Sequence, residues 1–179
     1  MKKISSYILA ALLIVSTVYF NCSNDDPVST ASSCDQKCQD NNTAYGLVHI
    51  YDFIWNQHFA GQPTGNHDIT VNGPKGGSIH ITGTTDYSTN GINTVHLVFA
   101  MTDCKGLDEN YSLTFNGTVN VEGTFSTTYT AMGFTASQLA YSGTVGKNVN
   151  VSVNATCDFV VNQTTSNLSG LICGREFAY

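Results

Sequence analysis

The sequence predicts a mainly β protein, an antiparallel meander that forms a sandwich or a partly closed barrel, with one N-terminal helix. Apolar and polar residues alternate over most of the chain after Gly65, and helical periodicity is confined to one stretch before it. No helix separates successive strands, which excludes the crossovers of a parallel sheet. Only 11% of the residues are charged, and the abundance of Thr, Val, Tyr and Phe favours strands.

The helix is predicted over residues 43–60. Leu47, Ile50, Tyr51 and Ile54 recur at helical spacing, and Thr43 is a suitable N-cap. Gly61 and Pro63 follow as stop signals.

After the helix, residues 67–73 predict a first strand, which a turn at 73–77 separates from the next. The strands 78–83 and 93–101 then predict a hairpin in which Ile79 faces Leu97, Ile81 faces Val95 and His80 faces His96. Further strands follow from three alternating series, which start at Tyr111, Leu139 and Val149. Neighbouring His80 and His96 could share a metal with His67 and Asp68, but paired surface histidines are usually polar surface. We therefore expect no metal site.

Residues 1–21 have the pattern of an export signal. Lys2 and Lys3 precede the apolar stretch 7–20, which is short for a membrane span and ends next to Cys22. Bacterial lipoproteins have their diacylglycerol-accepting cysteine at this position. Tyr-Phe-Asn before the cysteine departs from the usual small-residue box, so an uncut anchor or a cut elsewhere remains open. We expect lipidation at Cys22.

The rest of the chain divides into a tether with a cysteine-containing lead-in, residues 22–42, and a single β-rich domain with its helix, residues 43–179. The partly acidic stretch 23–26 resembles the one that follows the cysteine in lipoproteins of the outer membrane or cell surface, although it would also suit a solvated tether. We expect a bacterial protein that its lipid anchors at the outer membrane or the cell surface. The net charge of −6 disfavours nucleic acid as a partner.

Six cysteines in an exported chain predict disulfide bonds. Cys157 and Cys173 end the arms of a hairpin that is symmetric about Thr165, so we expect them to pair. Cys104 is then expected to reach Cys34 or Cys38, which leaves one of those two free. The three-residue spacing of Cys34 and Cys38, without a second pair, favours neither redox chemistry nor zinc.

Several short segments carry a resemblance to known proteins. AGQPTG, PKGGSIHITGTT, LVFAMTDC, LTFNGTV and LICGREF, within residues 59–177, make the chain similar to a group of β-rich bacterial lipoproteins. That group shares a Gly-Gly strand start and a closing Cys-Gly, and it has no established activity. The resemblance implies the fold and the membrane address, but no substrate.

The functional expectation is a membrane-anchored binding or structural module with an extracellular or periplasmic ligand. No nucleophile elbow, zinc-protease motif or paired carboxylates are present, so we expect neither an enzyme nor a cofactor. The alternative is a carrier whose curled sheet encloses a lipid or another apolar ligand, since alternating Phe, Tyr and Val could line a cavity as well as fill a core.

Overall fold

The computed structural model describes residues 33–61 and 64–179. The predicted signal, the predicted lipidation residue Cys22 and the first part of the predicted tether lie outside these ranges. The fold class is confirmed: one helix precedes eight antiparallel strands that form a single sheet in sequence order. β1 and β8 lie at the two edges, so the sheet is curled but not closed into a barrel.

The elements have the following bounds: α1 Gln36–Ile54, a π-helical turn Trp55–Phe59, β1 Gly65–Asn72, β2 Ser78–Tyr87, β3 Asn93–Asp108, β4 Tyr111–Phe125, β5 Thr130–Val145, β6 Val151–Thr164, β7 Leu168–Ile172 and β8 Arg175–Ala178. Within residues 33–61 and 64–179, no helix combines the length and the hydropathy of a membrane span.

α1 begins seven residues before the predicted position. Asp35 is its N-cap, and the carboxylate accepts a hydrogen bond of 2.9 Å from the backbone N–H of Cys38. Thr43, the predicted cap, lies inside the helix, where its hydroxyl donates to the carbonyl of Gln39. Residues 36–42 of the predicted lead-in therefore belong to the helix, and their polar sequence hid its first two turns.

The core lies between α1 and one face of the sheet. Leu47, Ile50 and Ile54 are almost fully buried and belong to one cluster with the inward-facing residues of the strands. Gly46 allows the close approach of α1 to β4, because a Cβ there would lie 3.0 Å from the side chain of Leu113. The opposite face of the sheet alternates toward solvent, as its polar residues predict.

A charged pair attaches α1 to the last strand. Asp40 is only 2% exposed, and its carboxylate accepts two hydrogen bonds from the guanidinium of Arg175, at 2.7 and 3.0 Å. The side-chain amide of Gln36 donates a third, at 3.1 Å. These contacts offset the cost of burying the carboxylate and fix the helix against β8.

Three register shifts bend the long strands, one in each of the pairs β3–β4, β4–β5 and β5–β6. In β5 the buried residues have even numbers before the shift, as Phe134 and Ala136 do, and odd numbers after it, as Leu139 and Tyr141 do. Gly143 lies beyond the shift at φ +142°, and a Cβ there would collide with the backbone carbonyl of Ser112. A glycine at this position lets two neighbouring strands approach closely where the sheet curls.

The predicted register of the β2–β3 hairpin is wrong by four residues. Ile79 pairs with Met101 and Ile81 with Phe99, because β2 continues to Tyr87 before the chain turns. The predicted apolar residues still face the core, since an even shift preserves the face. His80 and His96 are consequently not opposite each other, and His80 instead pairs with Ala100.

The cysteine pairing differs from the prediction at Cys104. The structure joins Cys157 to Cys173, as the hairpin symmetry predicts, but it also joins Cys34 to Cys38. Cys104 is a buried free cysteine beside Gly73 of the β1–β2 turn, whereas Cys34 lies beside Gly146 of the β5–β6 loop. The two sites belong to different turns of the sheet, so the predicted bond to Cys34 or Cys38 does not form.

Candidate functional site

A surface cleft of about 400 Å³ lies at one end of the sheet, beside the first half of α1. Its wall combines side chains from α1, the β3–β4 turn, the β5–β6 loop and the chain after β8. In an antiparallel meander every second turn falls at the same end of the sheet, so the turns that follow β3 and β5 come together. The topology thus assembles one site from distant parts of the sequence.

The α1 side of the cleft is a single helical stripe. Cys38, Asn42, Tyr45 and His49 follow one another at spacings of three or four residues and therefore share a face. Cys34 lies just before the N-cap, and its disulfide to Cys38 attaches that segment to the first turn of the helix. The Asn42 amide donates to the sulfur of Cys38 at 3.4 Å, which orients it over the disulfide.

The opposite side is formed by the β3–β4 turn and the β5–β6 loop, which are bonded to each other. The N–H of Gly146 donates to the carbonyl of Asn110 at 2.7 Å, and Lys147 forms a 2.9 Å ion pair with Glu109. Asp108 lies at the base of the β3–β4 turn and contributes its carboxylate to the wall. The two turns form one support, which holds their side chains at fixed positions.

Aromatic rings form a continuous line along the cleft. Tyr45 meets Tyr179 edge to face at 4.8 Å between ring centroids, and it meets His49 in the same way at 5.2 Å. His49 in turn lies 5.9 Å from the ring of Tyr111. Tyr179 is 67% exposed, and the backbone of that residue exchanges two hydrogen bonds with Leu168. An exposed ring on a fixed backbone is available to a ligand.

The polar centre of the cleft is a contact of 2.8 Å between Nδ1 of His49 and the hydroxyl of Tyr111. Burial raises the pKa of Tyr111 to about 12, and the nearby carboxylates of Asp108 and Asp52 contribute to the shift. Oδ2 of Asp108 lies 4.0 Å from Nδ1 of His49. Tyr111 therefore keeps its proton at neutral pH and acts as a hydrogen-bonding group.

The side chains that could have formed a metal site do not all meet. His80 forms a 2.8 Å contact with Asp68, whereas His67 contacts the hydroxyl of Thr85 on the opposite face of the sheet. In the part of the chain that the structure describes, no three His, Cys, Asp or Glu side chains converge as metal ligands.

Of the residues that line the cleft, the sequence singled out only Cys34 and Cys38 as candidate site residues, and it predicted that one of them bonds to Cys104. The aromatic residues Tyr45, Tyr111 and Tyr179 were interpreted as core or left unassigned. The available signal was the order of the strands, since an antiparallel meander brings the turns after β3 and β5 to the same end.

Comparison with known proteins assigns no role to the cleft. No protein-family model matches the chain, and neither a curated protein nor a solved structure is significantly similar to it. The wall offers ring faces, amide groups and single charges of both signs, which are groups that bind and orient a ligand.

Proposed function

We propose that this protein is an exported bacterial lipoprotein, anchored through Cys22, whose domain is a ligand-binding module. The observation that carries the binding function is the convergence of aromatic and polar side chains from four segments on one cleft. The lipid anchor is supported by the sequence, where the apolar stretch 7–20 ends next to Cys22. The polar residues that follow would carry the domain away from an outer membrane or cell surface.

Binding is favoured over enclosure of a lipid by the way the inner face of the sheet is filled. Phe99, Phe115, Phe134 and Phe159 are each no more than 1% exposed, and they belong to the same buried cluster as the apolar residues of α1. The alternating aromatic residues that could have lined a carrier cavity are thus part of a packed core. A ligand is better accommodated at the surface cleft.

Binding is also favoured over catalysis. The raised pKa of Tyr111 makes its hydroxyl a poor base or nucleophile at neutral pH. Among the described residues that line the cleft, Asp108 is the one aspartate or glutamate, so they offer no pair of carboxylates for acid and base steps. We accordingly propose a module without enzymatic activity.

The anchor is tested by metabolic labelling with an alkyne fatty acid in a bacterium that processes lipoproteins, followed by membrane fractionation. We expect the full-length protein to be labelled and to sediment with membranes. Cys22→Ser should abolish the label, whereas Cys104→Ser, a matched control at another cysteine, should keep it. An unlabelled wild-type protein, or label that persists in Cys22→Ser, would contradict lipidation at this residue.

A further inference from the structure

We propose that the cleft binds a neutral saccharide, with the line of tyrosines as its stacking surface. This inference deepens the binding function proposed above and rests on it, since it names the ligand class of the same site. Three features of the cleft carry it: exposed aromatic residues, amide groups beside them, and a lysine whose charge is already paired.

The ring faces provide the apolar part of the site. A pyranose ring presents a patch of C–H groups on its face, and the π-face of a tyrosine is negative, so the two attract each other. Tyr179 is 67% exposed and stands perpendicular to Tyr45, with an angle of 84° between the ring planes. The rings therefore form a corner whose surface is set before a ligand arrives, which lowers the entropic cost of binding.

The polar groups match the hydroxyl rim of a sugar. Asn42 and Asn110 lie on opposite sides of the cleft, and each amide can donate and accept a hydrogen bond. The carboxylate of Asp108 can accept from two neighbouring hydroxyls at once. Hydroxyl groups need partners of both kinds, which these three residues provide within one cleft.

The charges argue against an anionic ligand. Lys147 would attract an anion, but its ammonium is already paired with Glu109 at 2.9 Å. The carboxylate of Asp108 in the same wall would repel an anion. A phosphate therefore gains little from the electrostatics of the cleft. A quaternary ammonium or the apolar tail of a lipid would leave the amides of Asn42 and Asn110 without partners.

The test uses the full-length protein in a polyoxyethylene detergent, which contains no sugar. Hexasaccharides of glucose, xylose, mannose and N-acetylglucosamine are titrated by saturation-transfer NMR and calorimetry, with palmitate, inorganic phosphate and tetramethylammonium as comparison probes. We expect saturable binding of at least one hexasaccharide and none of the comparison probes. Binding of a comparison probe with no hexasaccharide bound, or no binding of any probe, would overturn the saccharide assignment.

Variants locate the binding. Tyr179→Ala and Asn110→Ala should each weaken the bound hexasaccharide by about tenfold. Tyr129→Ala, which removes a tyrosine that is 50% exposed in the β4–β5 turn, should leave affinity unchanged. Equal affinity in all three variants, or an equal loss in Tyr129→Ala, would overturn the proposal. Thermal unfolding identifies a variant that fails to fold. Because Tyr179→Ala removes an aromatic ring and Asn110→Ala removes an amide, either variant tests the site by itself if the other fails to fold.

These outcomes are separate from those that test the anchor. Acylation at Cys22 and sedimentation with membranes do not depend on Tyr179 or Asn110. A labelled, membrane-bound protein that binds no hexasaccharide would overturn the saccharide inference alone, whereas an unlabelled protein that binds one would overturn only the anchor.

Discussion

Asp40 shows at the scale of one residue how a buried charge positions a helix. Its side chain is 3% exposed, while that of its partner Arg175 is 41% exposed. Loss of the guanidinium would leave the carboxylate buried with only the amide of Gln36 as a side-chain hydrogen-bond donor. The cost of an unpaired buried charge is much larger than the gain from an exposed ion pair.

Arg175→Met is therefore expected to lower the free energy of unfolding by about 3 kcal/mol, the low end for a broken buried pair because the arginine is partly exposed. Urea unfolding followed by circular dichroism measures the change. Lys147→Met is the matched control, since it breaks the exposed pair with Glu109 and should cost less than about 1 kcal/mol. Similar losses in the two variants would contradict a stabilising role for Asp40 and Arg175.

Asp52 carries a half-buried carboxyl, with the opposite consequence for stability. Burial raises its pKa above the ordinary 3.8, and the neighbouring His49 offsets part of the shift. The folded state then holds the proton more tightly than the unfolded chain does. The stabilisation is fully present below the unfolded pKa and is lost as the pH rises through the folded one, so ionised Asp52 destabilises the protein at neutral pH.

Asp52→Asn should accordingly raise the Tm at pH 7, and its advantage should shrink as the pH falls towards 3.8. Asp158→Asn is the control of opposite sign. Hydrogen bonds from Gln138 lower the pKa of Asp158, so its carboxylate stabilises the fold above the unfolded pKa. That variant should melt earlier than wild type at pH 7, with the gap closing in acid. Parallel pH profiles for the two variants would refute this explanation.

At the scale of elements, the two disulfides constrain segments of different length. Cys157 and Cys173 are separated by 16 positions and close the β6–β7 hairpin, whereas Cys34 and Cys38 are separated by 4 and join the residue before the N-cap to the first turn of α1. In the chain-entropy model, a crosslink stabilises more when it closes a longer loop.

The double variant Cys157→Ser with Cys173→Ser should therefore lose about 3 kcal/mol, and Cys34→Ser with Cys38→Ser about 2 kcal/mol. Chemical denaturation without reductant measures both. The second variant also removes part of the cleft wall, so its loss of ligand affinity should exceed that of the first. A larger stability loss from the helical pair would show that helix formation, and not loop closure, dominates.

The elements also show where sequence information was sufficient. Alternation of apolar residues determines which face of a strand is buried, and Ile79, Ile81, Val95 and Leu97 are buried as predicted. The alternation is unchanged when one strand is shifted along its neighbour by an even number of residues. The predicted register of β2 and β3 was wrong for this reason. The start of α1 was missed because a cap and a disulfide, and not an apolar stripe, define its first turns.

At the scale of the whole molecule, the cleft and the cysteine pairing depended on contacts between distant segments. Cys104 and Cys34 are both buried, and nothing in their spacing indicates that they lie beside different turns. Tyr45 and Tyr179 meet because the chain after β8 returns to α1. Their meeting depends on the curl of the sheet, which arises from register shifts and glycines and not from periodicity.

Cys104 provides a test of global unfolding. It is fully buried, and burial raises its pKa to about 12, so reactive thiolate is scarce. In a Cys22→Ser background without reductant, iodoacetamide should add nothing to the native protein and one group to the denatured protein. Peptide mapping should place that group on Cys104. Alkylation of Cys34 or Cys38 instead would support the bond between Cys104 and one of these two residues that the sequence predicts.

The bond between Asp40 and Arg175 spans 135 positions and so has a consequence for the order of events during synthesis. A nascent polypeptide that has not yet reached position 175 contains the helix but lacks its counterion, and docking would strand a carboxylate in an apolar interior. We therefore expect the helix to dock stably only after the eighth strand has been synthesised.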